Sequence, residues 1–134
     1  MKREGRVLVL ACEWTRCVEA TAQEYHRRGW DVHVIASGCD GESSVEIQRG
    51  LQLHGVEVPE GDLASVAGSA ILNIRLAAMG SRVLATYGSF ELLVAHDEQV
   101  ADGTALLAEK ARLPICMPTR VPQQRPLSPM EVNR

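Results

Sequence analysis

RVLVLACEWTRCVEATAQEYHRRGWDVHVIAS, residues 6–37, sets the pattern against which the rest of the chain is read. It opens on a nearly continuous apolar run of valines and leucines, residues 7–12. A short run without polar alternation suits a strand buried on both faces. Residues 15–28 then change period. Val18, Ala22 and Tyr25 fall on one helical face, and Glu19, Gln23 and Arg27 fall elsewhere. Thr15 stands where a side chain caps a helix start, and Gly29 where a left-handed residue ends one. DVHVIAS, residues 31–37, returns to a strand pattern. A strand, a helical crossover and a second strand imply a parallel pair with a right-handed connection.

The pattern continues outward. After a polar loop, residues 38–44, the segment 45–58 reads as a strand or a small hairpin, with LQLHGVEV alternating about Gly55. Asp62 is placed to cap a helix whose apolar stripe runs through Leu63, Val66, Ala70, Ile74 and Ala77. Gly68 and Gly80 each weaken that helix by about 1 kcal/mol relative to alanine, so a break is expected near Gly80 and Ser81, with helix resuming over 82–86. FELLVA, residues 90–95, is the next strand. Residues 99–112 are a helix with Val100, Ala101, Ala105, Leu106 and Ala108 facing inward, and PICMPT begins a short last strand at Pro114. Pro118, Pro122, Pro126 and Pro129 exclude a regular helix or central strand beyond it. The expected organisation is one α/β domain over residues 1–120, a Rossmann-like, open, mostly parallel sheet with helices on both faces, and an extended or disordered Pro-rich tail over 121–134.

Composition narrows the function. The net charge is −3 and the Lys and Arg residues are scattered rather than striped, with Arg27 and Arg28 adjacent, which leaves no electrostatic footprint for nucleic acid. No apolar run approaches the roughly 20 residues of a membrane span, and the run 7–12 is too short for a signal-peptide core, so a cytoplasmic protein is expected. Cys12, Cys17, Cys39 and Cys116 form no CxxC pair; free, mostly buried thiols are expected, and no metal site.

In an open parallel sheet, ligands bind beyond the carboxyl ends of the strands. That places Glu13, Trp14 and Arg16, the loop 38–44, His96 and Asp97, and Arg120 on one edge as the candidate ligand-binding residues. Asp97 also suits an N-cap and Glu98 a first helical turn. His26, His33 and His54 read as surface or strand-face residues rather than ligands. The first strand–helix turn, CEWTRCVEA, lacks GxGxxG, and no acidic residue ends the second strand, which argues against a dinucleotide cofactor. GxxxxGK[ST] and GxSxG are also missing, and no Ser or Cys has a recognisable catalytic partner. A receiver-like or flavodoxin-like protein needs an acidic cluster or phosphate loop after the first strand, where Glu13 stands alone.

Three stretches together resemble the N-terminal, acceptor-side domain of GT-B glycosyltransferases of the family 4 type. They are VLVLACEW (residues 7–14), VEATAQEYHRRGWDVHVIASG (18–38) and NIRLAAMGSRVLATYGSFELLVAHDEQVADGTALLAEKARLPICMPTR (73–120). The likeness spans residues 6–120 and is loose over 42–61. It implies half of a retaining enzyme that moves sugar from a nucleotide-sugar co-substrate to a sugar or sugar-phosphate acceptor, without an obligatory metal. It also implies a separate C-terminal donor-binding domain or chain. On that basis His96 and Asp97 would hold acceptor hydroxyls, and Glu13 and Arg120 would line the cleft. Two positions depart from the family: Arg16 and Cys17 stand where loop glycines are usual, and Arg120 where a histidine is usual. The expected function is therefore a family 4-like glycosyltransferase half-enzyme, inactive alone. The alternative is a non-enzymatic Rossmann-like binding or interaction module.

Overall fold

The computed structural model describes residues 5–38, 45–48, 50–57 and 65–117. The strands β1 (Gly5–Glu13), β2 (Trp30–Ser37), β3 (Val45–Gln48), β4 (Leu51–Gly55), β5 (Phe90–Ala95) and β6 (Ile115–Cys116) form one sheet in the order β3-β4-β2-β1-β5-β6. Every neighbouring pair is parallel except β3 with β4. The helices are α1 (Arg16–Arg27), α2 (Val66–Tyr87) and α3 (Ala101–Ala111), the last preceded by a 3₁₀ turn at Glu98–Val100. The chain is thus an α/β fold with a mostly parallel sheet flanked by helices.

Alternation along β1 builds two cores. Val7, Val9 and Ala11 meet Val18 and Ala22 of α1 and Val32, Val34 and Ala36 of β2. Leu8, Leu10 and Cys12 face the other way, onto Leu72, Leu76 and Val83 of α2 and Leu107 of α3. Each fully buried leucine contributes about 1.5–3 kcal/mol, which is why a run with no polar member forms the central strand. The α1 boundaries follow the residue chemistry. The Thr15 hydroxyl accepts from the Val18 N–H at 3.3 Å, and Gly29 has φ 97° just past the last turn.

Several expectations are corrected. β3 and β4 pair antiparallel, with Gln48 opposite Leu51, rather than as a hairpin about Gly55, and β4 joins β2 in parallel. α2 is capped by Ser65, whose Oγ accepts from the Gly68 N–H at 3.0 Å; Asp62 and Leu63 lie outside the described residues. α2 runs unbroken through Gly80 because that glycine is buried where a Cβ would collide with Leu107. Close approach of α3 offsets the glycine's helix cost. The buried face of α2 is Leu72, Asn73, Leu76, Ala77, Gly80 and Val83, so of the described members of the expected stripe only Ala77 faces inward; Val66 is 89% and Ile74 66% exposed. α3 is rotated likewise. Gly103, Thr104 and Leu107 are buried with Val100 and Ala108, whereas Ala105 and Leu106 face out. The turn to polar Asn73 and Thr104 has a cause. The Asn73 amide donates to Ser69 O and Gln99 O, both at 2.8 Å, and its Oδ1 accepts from the buried Gly103 N–H at 2.7 Å. Of the described cysteines only Cys12 is buried; Cys17 and Cys116 are exposed. Cys39 and the tail 121–134 lie outside the described residues.

Candidate functional site at the topological switch point

From β1 the chain crosses by α1 to β2 on one side. It later returns by α2 to β5 on the other side. The reversal lies between the carboxyl ends of β1 and β5, the position where open α/β sheets bind ligands. Glu13 and Trp14 emerge from β1, and His96 and Asp97 from β5.

Four hydrogen bonds shape this edge. The Trp14 N–H donates to Ser37 O at 2.8 Å, and the Ser37 hydroxyl donates to Cys12 O at 2.7 Å, tying the ends of β1 and β2. The His96 N–H donates to Leu10 O at 2.8 Å, extending the β1–β5 ladder by one residue. β1 shifts register against β2 between Leu10 and Glu13, and within that interval the Cys12 N–H donates to Asp97 Oδ2 at 3.2 Å. Irregularities of this kind concentrate beside functional sites, where they re-aim groups.

Asp97 occupies the N-cap position of the 3₁₀ turn, but its side chain makes no capping bond; it reaches across to β1 instead. This corrects the capping role expected of its carboxylate. Its other oxygen, Oδ1, is buried with no hydrogen-bond partner among the described residues. An unpaired buried carboxylate oxygen is costly, so the group is primed to accept from whatever donor reaches it. Burial, then the charges of Asp97 and Glu13, push the Cys12 thiol up from its ordinary range. Cys12 is therefore a protonated thiol rather than a nucleophile.

The structure brings four of the expected residues to this edge. Glu13 is exposed, Trp14 is half-buried and leans on the α1-side core, and His96 and Asp97 are half-buried. Arg16 is exposed on the first turn of α1, beyond the β1 terminus. Gly38 lies beside Trp14 and Glu13, while the rest of the loop 38–44, and Arg120, fall outside the described residues. Sequence reasoning passed over Cys12 and Ser37, whose contributions are a backbone N–H, a carbonyl and a hydroxyl, none of which leaves a motif. Among the described residues, no three or more His, Cys, Asp and Glu side chains are grouped to hold a metal ion. No described helix is long and apolar enough to cross a membrane.

No family model and no curated protein matches the sequence. Solved structures do share the fold. The C-terminal domain (residues 83–215) of a hydrogenase from Pyrococcus furiosus aligns with 87% of this chain and 93% of its own, at 17% identity and a TM-score of 0.62. An L-amino acid ligase from Bacillus licheniformis aligns over 85% of this chain and 25% of its own, at 17% identity and a TM-score of 0.54. Os79 from O. sativa, solved with UDP and deoxynivalenol-3-glucoside, aligns over 83% of this chain and 28% of its own, at 14% identity and a TM-score of 0.56. At these identities the likeness is one of fold. The chain is a Rossmann-like domain with partial similarity to several proteins of different kinds.

Proposed function

We propose that this chain is a Rossmann-like binding module whose ligand sits at the β1–β5 switch point. The observation that carries this reading is the Asp97 carboxylate, which accepts from the Cys12 N–H with one oxygen and has the other buried with no partner among the described residues. The chemistry of the edge favours a neutral, hydroxyl-bearing small molecule such as a saccharide. Asp97 and Glu13 are acceptors; Glu98 and Glu19 add negative charge in the first helical turns. An anionic ligand would meet like charges where phosphate-binding folds present backbone N–H groups. Two exposed free thiols, Cys17 and Cys116, suit a reducing, cytoplasmic setting.

The family 4-like glycosyltransferase half-enzyme is the second reading. It is favoured by the fold shared with Os79, which was solved with UDP and a glucoside and of whose chain the likeness covers only 28%. One experiment tests the site that both readings share. Titrate the purified chain with a panel of sugars and sugar phosphates by calorimetry, beside His96→Ala/Asp97→Ala, and assay sugar transfer from nucleotide-sugars in parallel. The binding-module reading expects neutral sugars to bind the wild type, at least about tenfold weaker binding by the double variant, and no transfer. Equal affinities remove this loop from the site. Robust transfer by the chain alone refutes both readings.

A further inference from the structure

A second cluster of titratable side chains lies near the opposite end of the sheet, under the last turn of α2. His33 of β2 is 0% exposed and His54 of β4 is 5% exposed. Their rings are stacked with centroids 5.2 Å apart, and His33 Nδ1 is 3.0 Å from His54 Nε2. Gln52 Nε2 lies 3.3 Å from His33 Nε2. Tyr87, the last residue of α2, lies over both rings at 4.3 and 5.7 Å, and Phe90 of β5 stands edge-on to His33 at 5.2 Å. Arg6 of β1 fastens the same turn. Its Nη1 donates to Tyr87 O and Gly88 O, both at 2.6 Å, while its Nε donates to Asp31 Oδ2 at 2.6 Å.

The geometry restricts the protonation states. At the short His33–His54 contact one nitrogen donates and the other accepts, so both rings stay neutral only with complementary tautomers. A doubly protonated pair would aim two N–H donors at each other. The charged and titratable groups facing the pair, among the described residues, are Arg6 from β1, Asp31 from β2 and Tyr87 from α2; Gln52 of β4 and Phe90 of β5 complete the wall as neutral contacts. Asp31 is the one anion, 3.9 Å from His33 Nε2, and it is already engaged by Arg6. A proton added here meets a nearby guanidinium and a second imidazole with no uncommitted counter-charge.

We propose that the His33–His54 pair is a proton-operated latch that releases the C-terminal turn of α2 from the sheet when either ring is protonated. The turn is the element that moves because it is the lid over the rings. The two histidines sit on strands tied into the sheet, whereas Tyr87 and Gly88 are followed directly by the short link to β5. Burial pushes both histidines down from 6.5 to about 4, with His54 also opposing charge on His33. Opening would return them to their ordinary range, so acid favours the open form.

The test is amide hydrogen exchange on the whole chain at about pH 7 and about pH 4.5. The reporter is the Gly88 N–H, bonded to Leu84 O at 2.9 Å in the latched turn. Its protection factor is expected to fall about fiftyfold for each histidine that opening exposes, while the central amides of β1 and β5 keep theirs. In His33→Gln/His54→Gln the Gly88 protection should not depend on pH. A pH-independent Gly88 in the wild type, an equal fall in the double variant, or a uniform loss across the sheet would overturn the latch. Should the double variant not fold, the ring titration in the wild type still decides. Histidine signals that shift together with Gly88 below about pH 5 support the latch, and titration at the ordinary value without change at Gly88 refutes it.

Discussion

Replacing Gly103 by alanine tests the packing argument by its sign. Helix propensity alone predicts stabilisation, since alanine is better than glycine by about 1 kcal/mol within a helix. The structure predicts the opposite. A Cβ at position 103 would stand 2.7 Å from the Asn73 carbonyl oxygen, 2.9 Å from its Oδ1 and 3.2 Å from its Cα. Backbone of α2 cannot swing aside as a side-chain tip can, so the two helices must separate. Overpacking of this kind costs about 1–3 kcal/mol. Separation also stretches the buried Gly103 N–H to Asn73 Oδ1 bond, and a buried amide left without its partner costs about 1–3 kcal/mol more. Subtracting the propensity gain leaves a net loss of about 1–5 kcal/mol, centred near 3. A chain of this size loses about 3–4 °C of Tm per kcal/mol, so the central value corresponds to a Tm drop of about 10 °C. Thermal and urea unfolding followed by circular dichroism measure it. Gly80→Ala should cost less, because the atoms it meets belong to the tip of the Leu107 side chain rather than to backbone. An unchanged or raised Tm for Gly103→Ala would refute the reasoning.

Two further outcomes are expected. The folded-state pKa values of His33 and His54 lie below their unfolded value, so the unfolded chain takes up protons first as pH falls. Their contribution is fully present above about pH 6.5 and is lost progressively toward about pH 4. By proton linkage, unfolding free energy in urea should drop by about 3 kcal/mol between about pH 6.5 and about pH 5, and by much less in His33→Gln/His54→Gln. Arg6→Met removes the donor to Tyr87 O and Gly88 O and breaks the ion pair with Asp31. It should cost about 2–4 kcal/mol, against under about 0.5 kcal/mol for Arg28→Ala, whose ion pair with Glu24 is exposed; equal costs would show that the Arg6 clasp does not hold α2.

The parts of the fold legible in sequence are those where each residue votes alone. β1 is a run of apolar side chains, and burial on both faces follows from composition. The α1 caps, Thr15 and Gly29, act within a few residues of their own positions, and the structure keeps both. The faces of α2 and α3 were misread for the opposite reason. Their contact is made by a glycine, an asparagine and a threonine whose value depends on each other. Asn73 is buried because Ser69, Gln99 and Gly103 satisfy it, and nothing local at Asn73 reports that. Val66 and Ile74 look like core residues by hydropathy but stand on the solvent side once Asn73 fixes the rotation of the helix. The histidine pair was legible only in half. Alternation places His33 and His54 on strand faces, while their meeting requires β2 and β4 to be neighbours, a fact of topology.

The same distinction governs the candidate site. Strand order locates a ligand edge, and the edge predicted from the strand–helix alternation is where Glu13, Trp14, His96 and Asp97 meet. Position, however, does not set polarity. Phosphate-binding folds with this topology put glycines and free backbone N–H groups at the first turn. Here Thr15 caps α1, an acid precedes it at Glu13, and Asp97 takes the Cys12 N–H for itself. Each of these removes a donor or adds an acceptor. On the proposed reading, the Asp97 carboxylate is the group that a ligand at the β1–β5 edge would meet with a hydrogen-bond donor. The missing loop glycines at Arg16 and Cys17 remove the close backbone approach that phosphate-binding turns use, which fits the proposal of a hydroxyl-bearing partner for Asp97.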